Sequence, residues 1–208
     1  RERWLVLNKT DLLDESGIVA VEQAVCTALG QTERVYRISA LTGAGTDRLA
    51  ADLMTRLEQM AAEVADPEIP VVSIVDLGMV IDIRPEDHHW HVDLAPTYSG
   101  CPATDVIPFL VRAALEASGF QDIRVRMEVS PPWSTDWISE EGKDRLFAYG
   151  IAPPNGTTAM HEYEGTPRNC PQCGSTHTQL ISRYGATPCK ASYKCLDCLE
   201  PFEYFKCF

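Results

Sequence analysis

The stretch that decides the fold of the C-terminal part of the chain is CPQCGSTHTQLISRYGATPCKASYKCLDC, residues 170–198. It opens and closes on a Cys-x-x-Cys pair, with 21 residues between the pairs. Two such pairs can bring four thiolates to one tetrahedral metal ion, at a usual separation of about 15–20 residues. We therefore predict a zinc ribbon, with iron in the same cage as the alternative. Its predicted ligands are Cys170, Cys173, Cys195 and Cys198.

The segment that carries these pairs, residues 161–208, has little apolar sequence from which to build a core. A structural zinc ion contributes about 10–16 kcal/mol to the folding of such a segment, so the metal is expected to be its main cross-link. Cys189 and Cys207 stand outside the pairs; we assign them a structural role, with an iron–sulfur cluster as the alternative. A small core or a docking face is expected from the aromatic side chains Tyr184, Tyr193, Phe202, Tyr204, Phe205 and Phe208.

The chain of 208 residues is acidic, with 18 basic and 30 acidic side chains and a net charge of −12. This charge argues against a nucleic-acid binder, because such proteins neutralise phosphates with lysine and arginine. The sequence shows neither a run of about 18 apolar residues nor a charged and apolar leader, which predicts a cytoplasmic protein without a membrane span. In that reducing compartment, clustered cysteines indicate metal binding rather than disulfides.

Charge and cysteine content change near residues 60 and 160, which divides the chain into three predicted segments. Residues 61–160 carry 16 acidic and 6 basic side chains, whereas residues 161–208 carry 5 of each. The acidity therefore belongs to the middle segment. We predict a partial α/β segment at 1–60, a small α+β domain at 61–160 and the ribbon at 161–208.

The middle segment alternates short apolar runs with helical patterns, which is typical of an α+β domain. One helix is predicted to end near Ser118, with Pro108 in its first turn or at a kink, and a second over 139–149 is predicted to begin at Ser139. Strands are predicted at 71–75, 79–84, 90–94 and 123–129, the second and third forming an antiparallel hairpin.

Cys101 is the candidate reactive residue of the middle segment. It lies in a Gly-Cys-Pro turn directly before a predicted helix, and Pro102 suits the first helical position. Amide N–H groups and the helix dipole at such a terminus favour a thiolate, so we expect a lowered cysteine pKa. A small buried cysteine without chemistry is the alternative interpretation.

Three histidines, His88, His89 and His91, lie near the tip of the predicted hairpin. Imidazoles can bind metal, but His89 and His91 share one strand face beside a polar turn. We interpret the group as a solvated turn and predict no metal site there.

The first segment contains two strands, at 4–7 and 35–38, each followed by an amphipathic helix, which is the pattern of an α/β sheet. Asn8-Lys9-Thr10-Asp11 and Ile38-Ser39-Ala40 resemble the guanine-specificity elements of translational-type GTPases, and the flanking sequence is similar to the C-terminal half of an Obg-family GTPase domain. The sequence has no Gly-x-x-x-x-Gly-Lys-Ser/Thr loop to hold phosphates. We therefore expect a remnant without GTP chemistry.

Four further motifs resemble a single family and occur in its order. They are Asp66-Pro67-Glu68-Ile69-Pro70-Val71, Asp76-Leu77-Gly78-Met79-Val80, Pro96-Thr97-Tyr98-Ser99-Gly100-Cys101-Pro102-Ala103-Thr104 and Pro131-Pro132-Trp133-Ser134-Thr135-Asp136-Trp137. With the cysteine-rich tail, they make residues 62–208 similar to the PaaD family of phenylacetate degradation, whose central domain is a SufT-like iron–sulfur assembly domain. The resemblance implies that Cys101 is a reactive cysteine that transiently handles iron or a cluster, and that Glu68 and Asp66 can add oxygen ligands.

The resemblance implies an accessory factor that assembles or repairs the iron or iron–sulfur centre of a multicomponent phenylacetyl-CoA epoxygenase. Its expected partners are oxygenase subunits and iron–sulfur carriers. A GTP-binding fragment of the Obg type and a zinc-ribbon module that binds protein or nucleic acid are the alternatives. The missing phosphate loop argues against the first, and the acidic charge argues against a nucleic-acid target. Because the sequence shows no catalytic triad or flavin or NAD fingerprint, a non-catalytic subunit is expected rather than an enzyme.

Overall fold

The computed structural model describes residues 4–30, 34–86, 89–98, 100–154 and 168–206. Three residues named in the sequence analysis lie outside the described residues: His88, Cys207 and Phe208. The chain divides into two compact units, one up to Leu57 and the other from Glu58 onward. None of the helices in the described part of the chain combines the length and apolar character that a membrane crossing requires.

The first unit is built on two parallel strands, β1 (Trp4–Leu7) and β2 (Arg34–Arg37). Each strand is followed by a helix, α1 (Glu15–Leu29) and α2 (Thr46–Ala61). Asp14 begins α1, because its side chain accepts a hydrogen bond from the Gly17 N–H at 2.9 Å. The predicted order of strand, helix, strand and helix is confirmed.

Residues 62–79 form turns, and the strand predicted at 71–75 is wrong. Only an isolated bridge between Ala65 and Ser73 occurs there. The reason lies in an aspartate that offers a local acceptor: Asp76 Oδ2 accepts from both the N–H and the hydroxyl of Ser73, at 2.9 and 3.0 Å. Such side-chain bonds satisfy the backbone in turns and compete with a sheet ladder.

A three-stranded sheet follows, with β3 (Val80–Glu86), β4 (His89–Leu94) and β5 (Ile123–Met127) in that spatial order. The predicted β3–β4 hairpin is confirmed, while β4 and β5 run parallel because α3 (Val106–Ala117) connects them. Pro108 is the third residue of α3 and therefore lies in its first turn, where it removes no helical hydrogen bond.

The end of the middle segment folds back on the turns at 76–78. Helix α4 (Glu140–Tyr149) begins at Ser139, as predicted, since the Ser139 hydroxyl accepts from the Gly142 N–H at 2.9 Å. Gly78 has a φ of +64°, and a β-carbon there would collide with the Trp137 backbone. This position therefore requires glycine, which explains the Asp-Leu-Gly turn.

The C-terminal sheet has four strands in the order β6, β9, β8, β7. Strands β7 (Thr178–Ser182), β8 (Lys190–Cys195) and β9 (Pro201–Phe205) are antiparallel neighbours. The short strand β6 (Ile151–Ala152) comes directly after α4 and pairs in parallel with β9, a pairing the sequence did not predict. The small core expected from the tail aromatics is confirmed, because the buried Tyr193, Phe202 and Tyr204 side chains form it with the Cys170 and Cys195 side chains.

Candidate functional site

Four thiols meet at one end of the C-terminal sheet. Cys170 and Cys173 lie before β7, Cys195 ends β8, and Cys198 lies in the turn into β9. Their sulfur atoms are all within 4.8 Å of one another. Two of the S–S distances are 3.6 Å, from Cys170 to Cys198 and from Cys173 to Cys195. The structure thus brings together the four ligands predicted from the spacing.

This thiol geometry fits zinc. A tetrahedral ion with Zn–S bonds of about 2.3 Å separates its sulfurs by about 3.8 Å, close to the observed spacing. The amide N–H of Cys198, which lies 3.5 Å from the Cys195 sulfur, and next the N–H of Asp197 lower the pKa of the Cys195 thiol to about 6. At Cys195 the protein therefore favours the thiolate, which is the form that binds metal.

Two polar contacts also join the two Cys-x-x-Cys turns, away from the sulfur atoms. The Asp197 carboxylate accepts from the Ser175 hydroxyl at 2.5 Å and lies 3.0 Å from His177 Nδ1. Both contacts join the turn that holds Cys173 to the turn that holds Cys198. Contacts of this kind hold metal ligands in position.

Cys101 lies in a turn that precedes α3 rather than in the helix itself. A 3-10 turn over Pro102–Thr104 separates it from the start of α3, and the Cys101 N–H donates to the Tyr98 carbonyl at 3.2 Å. The expectation of a lowered pKa is wrong: burial raises the pKa of the Cys101 thiol, and the Ala103 N–H opposes this only in part. The charges of Glu68 and Asp66, and that of Cys189 when it is ionised, raise the pKa of the Cys101 thiol further, because they would repel a thiolate.

Asp66 and Glu68 both contribute, after burial, to the raised pKa of the Cys101 thiol, but they differ in their own bonding. Asp66 is buried, and its Oδ1 accepts the N–H groups of Glu68 and Ile69, each at 2.8 Å. Burial raises the pKa of Asp66 above its usual range. Glu68 is less buried than Asp66, and burial followed by the charge of Asp66 raises its pKa as well. Asp66 therefore shapes the turn, and Glu68 is the more open carboxylate of the two.

Cys189 is a tail cysteine whose surroundings sequence reasoning did not predict. It is buried in the loop before β8, with its sulfur 2.9 Å from the Thr187 hydroxyl. Burial raises the pKa of the Cys189 thiol, and the charges of Glu68 and Asp66 also raise it. The one signal in the sequence was a tail cysteine outside both Cys-x-x-Cys pairs, and such a position carries no information about what it faces.

The histidines of the hairpin are not all solvated, so that expectation is wrong for His91. The His91 ring is buried on β4. The Nε2 atom of His89, in contrast, lies 2.8 Å from a guanidinium nitrogen of Arg124. Among the described residues, the group of three or more metal donors within 4.8 Å contains cysteines only.

In the first unit, the two GTPase-like motifs lie side by side. The Asn8 Oδ1 accepts from the Ala40 N–H at 3.0 Å, and the Thr10 N–H donates to the Ile38 carbonyl at 3.1 Å. Asp11 is exposed in a 3-10 turn. These hydrogen bonds join the two motifs, and the expected lack of GTP chemistry in this segment stays a prediction.

Two family models match the chain, and its curated relatives include a protein of Escherichia coli. Residues 154–206 match the PaaD zinc beta ribbon domain, and residues 55–126 match the iron-sulfur cluster assembly protein family. A protein of Escherichia coli (strain K12), provisionally described as a subunit of 1,2-phenylacetyl-CoA epoxidase, is 44% identical over 148 residues. The match covers 71% of this chain and 89% of that protein.

Solved structures that are similar to part of the chain include the following two. A domain of unknown function, DUF59, from Bacillus anthracis is 28% identical with a TM-score of 0.43, covering 46% of this chain and 92% of that one. A Mycobacterium tuberculosis protein associated with Fe-S complex assembly and repair is 38% identical with a TM-score of 0.28, covering 49% of this chain and 88% of that one.

Proposed function

The chain belongs to the PaaD family, and from this membership we propose that it is an accessory factor in the maturation of a multicomponent phenylacetyl-CoA epoxidase. The observation that carries the proposal is the position of Cys101. Its thiol is half-buried in a domain that matches the iron–sulfur assembly family, and burial followed by the charges of Glu68 and Asp66 raises its pKa; the same compact unit contains the zinc ribbon.

The resident metal of the ribbon has a structural role. The thiols of Cys170, Cys173, Cys195 and Cys198 hold zinc, which cross-links the two knuckles and completes the fold of the tail. Four protein ligands leave no open coordination position for a substrate. The ribbon therefore stabilises the protein, and the chemistry of maturation belongs to Cys101.

Cys101 takes up iron or a cluster as cargo. On binding, the thiol loses its proton to water and the sulfur forms a bond to iron, and we propose that Glu68 adds a carboxylate oxygen. Because burial and the neighbouring charges favour the neutral thiol, proton uptake by Cys101 assists the release of the cargo. A ligand of this kind suits transfer better than permanent storage.

The partners are proteins. The acidic segment at 61–160 opposes binding to nucleic acid, and its charge suits basic patches on protein clients. We propose oxygenase subunits and iron–sulfur carriers as these clients, and a non-catalytic role beside them. We also propose the cytoplasm as the place of action, since free thiols persist in reducing compartments.

The test is reconstitution of the apo-oxygenase with purified protein. The wild-type chain is expected to restore iron loading and epoxidase activity, and Cys101→Ser is expected to lose both effects. Cys26→Ser is the matched control, because Cys26 is also partly buried but lies in the first unit. Full activity and unchanged iron loading with Cys101→Ser would contradict the proposal.

A further inference from the structure

A cavity of about 300 Å³ lies at one edge of the three-stranded sheet. Strands β4 and β5 run parallel and are connected by α3, so their carboxyl ends meet at the same edge. The loops that follow these two strands supply the walls of the cavity, which include Pro96, Tyr98, Glu128, Val129, Pro132 and Trp133. In sheets with such connections, ligand sites typically lie beyond the carboxyl ends of the strands.

Most of the residues that line this cavity are apolar or aromatic. Trp133 is fixed in place, because its indole N–H donates to the Leu77 carbonyl at 2.8 Å and its ring packs on Phe205 with 6.2 Å between the centroids. Val129 is 76% exposed, so it lies at the mouth. The cavity is at the lower limit of pockets for small molecules, about 300–1,000 Å³, and it therefore suits a single side chain better than a whole cofactor.

Glu128 is the charged side chain among the described residues that line the cavity. Within the part of the chain that the structure describes, its carboxylate has no hydrogen bond or ion pair to another side chain. The surrounding segment, residues 61–160, carries 16 acidic and 6 basic side chains. A basic group that approaches the cavity is therefore attracted by the segment as a whole and can pair with Glu128.

The cavity adjoins the turn that holds Cys101. The Tyr98 carbonyl accepts the Cys101 N–H at 3.2 Å. The Tyr98 ring lies over Gly100, where a β-carbon would be only 2.7 Å from a ring carbon, so this close packing requires glycine. A group that occupies the cavity therefore lies next to the residue that anchors the Cys101 turn.

We propose that this cavity is the docking site for a client protein, which inserts an aromatic side chain that is followed by a lysine or arginine. The aromatic side chain packs against the apolar walls, and the basic side chain pairs with Glu128. A single anchor in a well-formed pocket of this kind supplies much of the energy of an interface. Docking here places the client beside Cys101. This inference rests on the proposed function, because it names the surface that binds the client served by Cys101.

Two blocked tetrapeptides, Gly-Phe-Arg-Gly and Gly-Phe-Glu-Gly, are the probes, each added to the full-length, zinc-loaded protein and followed by NMR. The Phe-Arg peptide is expected to shift both the Trp133 indole N–H signal and the Cys101 amide N–H signal. The Phe-Glu peptide is expected to bind about fivefold more weakly, because Glu128 repels it. The proposal is overturned if the Phe-Arg peptide leaves either signal in place, or if both peptides bind equally well.

Val129→Lys places a positive charge at the mouth of the cavity and is expected to weaken binding of the Phe-Arg peptide by about fivefold or more. Ile181→Lys is the matched control, since Ile181 is 60% exposed on β7 and the change in net charge is the same. Equal affinities of the two variants for the Phe-Arg peptide would also overturn the proposal. The titrations contain neither an oxygenase nor iron, so failure of the proposed function leaves their result unchanged, and failure here leaves the reconstitution test of Cys101 intact.

Discussion

Trp133 and Phe205 are in contact, with their ring planes inclined at 60°. Trp133 belongs to the assembly part of the chain, where its indole N–H donates to the Leu77 carbonyl at 2.8 Å, whereas Phe205 ends β9 of the ribbon sheet. Both side chains are buried. The contact therefore couples the two parts of the second unit and predicts that they unfold together.

Phe205→Ala is expected to destabilise the second unit by about 3–5 kcal/mol, because it leaves a cavity against Trp133. Phe109→Ala is the matched control, since Phe109 is 69% exposed on α3. Its effect is expected to stay within about 0.5 kcal/mol. Urea unfolding followed by tryptophan fluorescence measures both, and equal midpoints for the two variants would contradict the coupling.

The zinc assignment predicts about one zinc ion per chain, removed by Cys170→Ser but retained by Cys189→Ser. Cys170 belongs to the four-thiol group, whereas Cys189 lies outside it. Metal analysis after gel filtration measures the content, and loss of far-UV signal on adding a strong chelator reports unfolding of the tail. Iron in place of zinc, or a folded metal-free tail, would refute the assignment.

Glu68→Gln is expected to speed alkylation of Cys101 near pH 7.5. Burial first, and then the charge of Glu68 among other groups, raises the pKa of the Cys101 thiol, so little thiolate is present at neutral pH. Removing that charge lowers the pKa, and the two rates should converge at a pH above both values.

Alkylation at Cys101 is followed by mass spectrometry of the peptide that contains it, because other cysteines also react. The control is Glu116→Gln, an exposed residue of α3 that is not among the groups shifting the Cys101 pKa. Equal alkylation rates in Glu68→Gln and wild type at pH 7.5 would show that Glu68 does not act on the thiol.

Asp66→Asn is expected to leave the protein at least as stable as wild type at pH 7. Burial raises the pKa of Asp66, so the native state binds its proton more tightly and loses stability as the pH rises above the unfolded value. An amide oxygen can still accept the two N–H bonds, without a buried charge. Any gain should therefore disappear as the pH falls towards 4.

Asp66→Ala is the contrasting variant, because it leaves the N–H groups of Glu68 and Ile69 without their acceptor. It is expected to cost about 1–3 kcal/mol at every pH. Thermal unfolding of both variants between pH 4 and pH 8 measures the difference. An asparagine variant as unstable as the alanine variant would mean that the charge itself holds the turn.

A chain of residues 46–208 is expected to fold without the preceding residues. From Glu58 onward the protein forms its own compact unit, and residues 46–57 are retained to keep α2 whole. Zinc content and a cooperative unfolding transition equal to those of the full chain are the expected results. Aggregation or loss of zinc would show that the first unit supports the second.

Local patterns predicted much of the fold. The Ser139 cap, the first-turn position of Pro108 and the β3–β4 hairpin all depend on neighbours a few residues away, and all three are confirmed. The strand predicted at 71–75 failed for a reason that was also local, because the Asp76 side chain binds the Ser73 backbone. Apolar runs indicate burial, and they do not distinguish a strand from a turn whose apolar side chains are buried.

Some features of the candidate site also follow from the sequence, and others depend on the fold. The sequence by itself determined the four zinc ligands, since two Cys-x-x-Cys knuckles impose their own geometry, and it identified Cys101 through its motif. Only the tertiary structure decided that β6 joins the ribbon sheet and that Cys189 is buried in the loop before β8. It also reversed the expected pKa shift of Cys101, because burial and repulsion by charges distant in sequence outweigh one local amide N–H. Desolvation and charge repulsion depend on distances in space, and these exist only once the chain is folded.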